Sequence, residues 1–224
     1  MDEDAIERLR VAVYRAFAAT GTAGSPGELA RAAGVNEVQI APMLRRLHEA
    51  RQLVLDDSGR IVMAHPFAAI PLGFSVMGAR TLWWGGCCWD SFALPHLLAD
   101  EPAVLVATRC PACGRAHAWS VNDQVPPEGT QVAHFLVPAA HLWDDVVHSC
   151  AHQRIFCDEA CVQSWLERTA HRRGYVMDLP TLWRLAAHWY DGRLQPGYVR
   201  REPEQAAAYF REVGLHGPFW GLED

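Results

Sequence analysis

Apolar positions in the first sixty residues follow a helical rhythm and then a short-strand one. Ile6, Leu9, Val13 and Phe17 fall at helical spacing within residues 4–19, and the stretch 21–24, with glycine at both ends, stops that run. Ser25-Pro26-Gly27-Glu28 has the form of a capping box with proline at the first helical position, opening a short helix over Leu29 to Ala33. A third helix follows Asn36, with Val38, Ile40, Met43, Leu44 and Leu47 on its apolar side. Leu53-Val54-Leu55 and Ile61-Val62-Met63 then flank the turn Asp56-Asp57-Ser58-Gly59. Three helices and a hairpin predict a winged-helix domain over residues 1–66. His65-Pro66-Phe67 through Ile70-Pro71 reads as a proline-punctuated linker.

Beyond the linker the pattern mixes strands and helices. Strands are predicted over 104–108, 116–121 and 132–137, with Pro126-Pro127-Glu128-Gly129 as a turn, and helices over 88–98, 158–170 and 179–190. From Arg200 to the end the chain reads as one more amphipathic helix and a Gly/Pro-rich tail in which no chemistry is legible. The fold class is therefore α+β: a winged helix, then a second domain over 67–224 built on a mixed or antiparallel sheet.

Charge narrows the choice of partner. The formal net charge is −6, and residues 1–60 hold eight arginines against nine carboxylates, so no basic stripe faces nucleic acid. Arg45, Arg46 and Arg51 are the candidate phosphate contacts of a DNA-reading winged helix. The charge balance favours a scaffold instead, with no DNA binding. The acidic start MDEDAIERLR and the short apolar run from Val104 to Ala107 predict a soluble, cytoplasmic protein without a membrane span.

Seven cysteines change the picture most. An odd number in a chain without an export signal points to reduced thiols or metal ligation. Cys87-Cys88-Trp89-Asp90-Ser91 lies where Gly85-Gly86 runs into a helix, a position whose unpaired amides favour thiolate and predict a lowered Cys87 pKa. Asp90, three residues on, shares a helix face with Cys87, placing a nucleophile beside a proton carrier. The same residues read equally as small buried hydrophobes and a helix-capping aspartate.

The later segment Ser149-Cys150-Ala151-His152-Gln153-Arg154-Ile155-Phe156, followed by Trp165-Leu166, supplies the second half of a recognisable pair. Cys87, Asp90, Ser91 and Pro95, together with Cys150, Phe156 and Trp165, resemble the motifs of the alkylmercury (organomercurial) lyase family, and the likeness spans roughly residues 4–190. The resemblance implies that Cys87 and Cys150 are the mercury-binding thiolates, that Asp90 is the proton donor, and that Cys110 matches a structural cysteine. Soft thiolates suit a soft metal, and two of them push electron density toward the departing carbon, which then needs a proton.

Cys110-Pro111-Ala112-Cys113 with Cys157 and Cys161 departs from that family pattern. A C-x-x-C knuckle plus C-x-x-x-C at a helix start is the spacing of a four-cysteine zinc site, the other reading being reduced, buried thiols. Cys88 is read as inert because it points about 100° away from Cys87 on the helix. Trp83, Trp84 and Trp89 are candidates to line an apolar pocket for the organic group, or simply core. His148 and His152 flank Cys150 without an assigned role.

The expected activity is protonolysis of R–Hg–X to hydrocarbon and mercuric ion, in the service of mercury resistance. No organic cofactor is required, the partners being an organomercurial, small thiols and, as the resemblance implies, a mercuric reductase. Two alternatives stay open: a metal- or thiol-responsive winged-helix regulator, and a lyase-fold relative acting on a substrate other than mercury.

Overall fold

The computed structural model describes residues 2–223. Its elements are α1 (Glu3–Thr20), α2 (Pro26–Ala33), a 3-10 turn Glu37–Gln39, α3 (Ile40–Glu49), β1 (Val54–Leu55), β2 (Ile61–Ala64), β3 (Phe67–Ala68), β4 (Phe74–Met77) and β5 (Leu82–Gly85). There follow α4 (Cys88–Leu97), β6 (Ala103–Arg109), β7 (Ala116–Asn122), β8 (Val132–Phe135), α5 (Val146–Ala151), β9 (Gln153–Phe156), α6 (Glu159–Thr169), β10 (Tyr175–Asp178), α7 (Leu179–Ala187) and α8 (Pro203–Glu212). The Ser25/Glu28 capping box forms and Pro26 opens α2.

The α+β class holds, with two sheets ordered β1-β2-β3-β5-β4-β6-β7 and β10-β8-β9. Every pairing is antiparallel. The stretch expected as a linker, 65–71, contains β3, whose Phe67 and Ala68 are fully buried and pair with β2 on one side and β5 on the other. Two residues are too few to show a strand period, and the prolines around them masked it. Pro66 immediately precedes the strand, where its missing N–H costs no ladder bond. The larger sheet consequently runs without a break from β1 and β2 to β5, the strand that leads into Cys87 and Asp90.

Helix α1 is bound to both ends of that segment. The Trp83 indole donates to the Phe17 carbonyl at 2.8 Å, and Phe17 stacks on Phe67 with ring centroids 5.7 Å apart. Buried Arg10 donates to the carbonyls of Arg193 at 2.8 Å and Gln195 at 2.6 Å, fixing the chain beyond α7. Helix α4 is buried on all sides from Cys88 to Pro95, with the polar Asp90 and Ser91 buried among its apolar residues. It lies between the large sheet and α7, with Trp89 donating its indole N–H to the Leu185 carbonyl at 3.1 Å. The tail closes this core: Phe210 and Trp220 pack 4.9 Å apart beside Trp89.

Two elements stop two or more residues short of their predicted ends. Strand β8 ends at Phe135 instead of 137, beside Gly174, where a Cβ would stand 1.9 Å from the Phe135 carbonyl oxygen, so only glycine lets the chain pass. Helix α7 ends at Ala187 instead of 190, which frees Tyr190 to turn inward.

Candidate active site

The site begins where β5 meets α4. A Cβ on Gly85 would lie 2.0 Å from Ser91 Oγ, and one on Gly86 2.2 Å from Asp90 Oδ2, so the glycine pair lets the helix start abut the strand end. Cys87 is the N-cap of α4: its sulfur accepts from the Asp90 backbone N–H at 3.4 Å. Ser91 Oγ donates to the Cys87 carbonyl at 2.6 Å, locking the turn.

Cys150 arrives from the opposite side on α5, a short helix capped by Asp145, which accepts from the His148 N–H at 2.9 Å. Asp90 Oδ2 lies 3.3 Å from the Cys87 sulfur and 3.9 Å from the Cys150 sulfur, while the Tyr190 hydroxyl donates to Oδ1. On its far side the Cys150 sulfur is 3.5 Å from His65 Nε2. Cys87, Asp90 and Cys150 are 2, 1 and 5 % exposed, so these groups meet out of bulk water. They border a cavity of about 100 Å³ whose wall also includes Trp89, Trp143, Trp189, Arg193, Arg200 and Arg201.

Burial sets the protonation states. It raises the Asp90 pKa to about 7, against the hydrogen bonds from Tyr190 and Cys87 and the nearby Arg193 charge, which favour the carboxylate. The Cys87 thiol is pushed well up by burial, by its hydrogen bond with Cys150 and by the Asp90 charge. The bond with Cys87 pulls Cys150 down, but burial and Asp90 outweigh it and leave that thiol raised as well. Burial, reinforced by Arg193 and Arg200, lowers His65 to about 3, so the imidazole is neutral. The lowered Cys87 pKa predicted from its helix-start position is therefore corrected: loss of water and a carboxyl neighbour outweigh the helix dipole.

The two readings of the tryptophans, pocket lining or core, divide among them. Trp89 lines the cavity, but Trp83 points into the core against α1 and Trp84 emerges on the outer face of the sheet, as alternation along a strand requires. Trp143 and Trp189 take their places. Cys88 is buried and does not line the cavity, nor do His148 and His152. His65 was hidden within the expected linker, and Arg200 and Arg201 in a tail read as chemically silent. Neither stretch carries a motif that would have singled them out.

The other four cysteines converge elsewhere. Sulfurs of Cys110 (after β6), Cys113, Cys157 (after β9) and Cys161 (on α6) all lie within 4.8 Å of one another, with Cys113 and Cys157 3.5 Å apart. A small core of Phe156, Val162, Trp165 and Leu166 packs beside them.

The family model for alkylmercury lyase matches residues 67–191, more than half of the chain. The chain belongs to the alkylmercury lyase family. The matched segment contains Cys87, Asp90, Cys150, Tyr190 and the four-cysteine cluster, whereas His65, Arg193 and Arg200 lie outside it. The fold of this lyase-family chain is similar to the crystal structure of the mercury-bound form of MerB2, with a TM-score of 0.65 at 16% identity over 87% of this chain and 93% of that one. No curated protein sequence matches the chain. Among the described residues no helix is long and apolar enough to cross a membrane.

The raised Asp90 pKa has a measurable consequence. Between the ordinary value of 3.8 and about 7 the folded protein binds more protons at Asp90 than the unfolded chain does. The stability contributed by the buried acid is full below the first value and lost as pH rises through the second. Asp90→Asn, which cannot ionise, should melt close to wild type near about pH 4 and be more stable at about pH 8, by an amount on the order of a few kcal/mol. Thermal melts across that range check this; a stability gap independent of pH contradicts it.

Proposed function

We propose that the protein cleaves the carbon–mercury bond of small organomercurials by protonolysis, with Cys87 and Cys150 as the sulfur ligands and Asp90 as the proton carrier. The observation that carries this reading is that both sulfurs lie within hydrogen-bonding reach of the same Asp90 oxygen, on the wall of one cavity. Mercury is the substrate's metal, and thiolates are the ligands it prefers.

In this scheme R–Hg–SR′ enters with R in the cavity. The Cys87 sulfur forms a bond to mercury as R′S⁻ departs with the Cys87 proton. Cys150 then binds the metal and yields its proton to Asp90. Breaking of the Hg–C bond leaves its electron pair on carbon, which takes that proton from Asp90. Two thiol protons are consumed, R′SH and RH are released, and mercuric ion stays on two thiolates until an external thiol removes it. A carboxyl with a pKa of about 7 can both accept and donate at neutral pH. Tyr190 holds its other oxygen and so orients it.

A scaffold role for the N-terminal helices, not DNA reading, fits the ties of α1 to Arg193 and Trp83. Arg46 of the candidate phosphate contacts is paired with Glu3 at 2.9 Å. For Cys110, Cys113, Cys157 and Cys161 we propose a structural zinc, since four sulfurs about 2.3 Å from one ion stand about 3.8 Å apart, close to the separations available here. Bound zinc would tie the β6–β7 hairpin to α6 and so brace β9, the strand that leaves Cys150.

With methylmercury or phenylmercury and excess small thiol, the protein should release methane or benzene, followed by gas chromatography. Cys87→Ser and Cys150→Ser should lose about a hundredfold or more of that rate, because a hydroxyl is too hard a ligand for mercury. Asp90→Asn should still bind the organomercurial and turn over poorly. Absence of hydrocarbon from wild type, or full activity in all three variants, contradicts the proposal.

Metal analysis of the purified protein should find near one zinc per chain, falling in Cys110→Ser and Cys161→Ser together with thermal stability. Metal-free protein whose melting is unmoved by added zinc contradicts the zinc assignment.

A further inference from the structure

The cavity wall is unevenly charged. Arg193, Arg200 and Arg201 line it, and among the described residues Asp90 is the sole lining carboxylate. Arg201 is occupied, its guanidinium donating to the carbonyls of Trp189 and His188 at 2.9 Å each. Arg193 is 3 % exposed, with its Nε donating to the His65 carbonyl at 3.3 Å and its guanidinium 4.5 Å from the Tyr198 ring centroid.

Arg200 differs from both. It is half-buried, its guanidinium sits 4.9 Å from the Trp143 ring centroid, and among the described residues it makes neither an ion pair nor a hydrogen bond. Burial and the like charges of Arg193 and Arg51 hold its pKa below the usual arginine value, with Tyr198 and Glu202 acting weakly the other way. A stacked, planar cation with its donors free and its neighbours repulsive suits a carboxylate, which it can grip with two parallel N–H bonds.

The reaction says which carboxylate. In water containing thiols a soft metal travels as R–Hg–S–R′. With mercury drawn to the buried sulfurs of Cys87 and Cys150, the carrier thiol extends from the metal along the same lined cavity, away from those sulfurs. Arg200 lines that cavity and, unlike Cys87, Asp90 and Cys150, is partly exposed, so it is placed to meet the carrier's free end.

We propose that Arg200 is a specificity-determining residue that docks the carboxylate of the carrier thiol, so that the preferred substrates are organomercurials bound to anionic, carboxylate-bearing thiols. This rests on the lyase reading, because it assigns the R′S group of that scheme. It adds no redox step: R′S⁻ leaves with the Cys87 proton, and its carboxylate is released from Arg200 unchanged.

The test uses methylmercury complexed in turn with 3-mercaptopropionate (anionic), 2-mercaptoethanol (neutral) and cysteamine (cationic). Affinity is read from the rapid phase of tryptophan quenching, and methane release is followed in the same samples. The wild type should bind the anionic complex about tenfold tighter than the neutral one and the cationic one more weakly still, with the spread shrinking as salt is added. Arg200→Gln should bring the anionic-to-neutral ratio close to one, and Arg200→Lys should recover part of it. Comparing ratios between variants cancels the carriers' own differences in mercury affinity. Equal affinities in the wild type, or a ratio unmoved in Arg200→Gln, overturn the proposal. No methane from any carrier would instead count against the lyase reading, while the order of binding still decides the role of Arg200.

Discussion

A carboxyl group 1 % exposed, held between two thiols and a tyrosine hydroxyl, is the interaction on which the rest of the molecule depends. Burying Asp90 without hydrogen bonds would be prohibitive, and surrounding it with stronger donors would fix it as a carboxylate unable to return a proton. Thiols and a phenol are intermediate: they satisfy the oxygens yet leave the pKa near 7. The partners come from α4, from α5 and from the chain just beyond α7, so the group is balanced only when those elements dock correctly. Both thiols are kept protonated by the same burial, so that under the proposed mechanism each is a proton source when its sulfur binds mercury.

The remainder of the fold acts as a frame for that arrangement. The Gly85-Gly86 step lets α4 start hard against β5. Helix α1, through Arg10 and Trp83, grips both the sheet and the chain that carries Arg193. His65, at the entry to β3, closes the far side of Cys150 as a neutral imidazole. If zinc occupies the four-cysteine cluster, it braces the opposite end of β9.

Much of this was legible in the sequence wherever a period or a spacing was long enough to register. Helix α1, the Ser25 capping box, the β6–β7 hairpin strands and the Cys87/Asp90 spacing all announced themselves. Strand β3, with two residues, and α5, with six, are too short to show a period, and they carry or adjoin His65 and Cys150. The direction of the Cys87 pKa was misjudged because a helix start is visible in sequence and depth of burial is not. Trp83 and Trp84 could have been separated by strand alternation alone, since neighbours on a strand face opposite ways. Arg200 had no such signal: its setting depends on α1, on Trp143 and on Arg193, residues far apart in the chain.

Titration of Asp90 tests the account most directly. In protein carrying carbon-13 at the aspartate carboxyl carbons, the Asp90 resonance can be identified by its disappearance in Asp90→Asn and followed with pH by NMR. The account predicts a midpoint near 7 in the mercury-free protein. A midpoint near the ordinary 3.8 would mean that Asp90 is a fixed carboxylate, and the proton store between the two thiols would not exist.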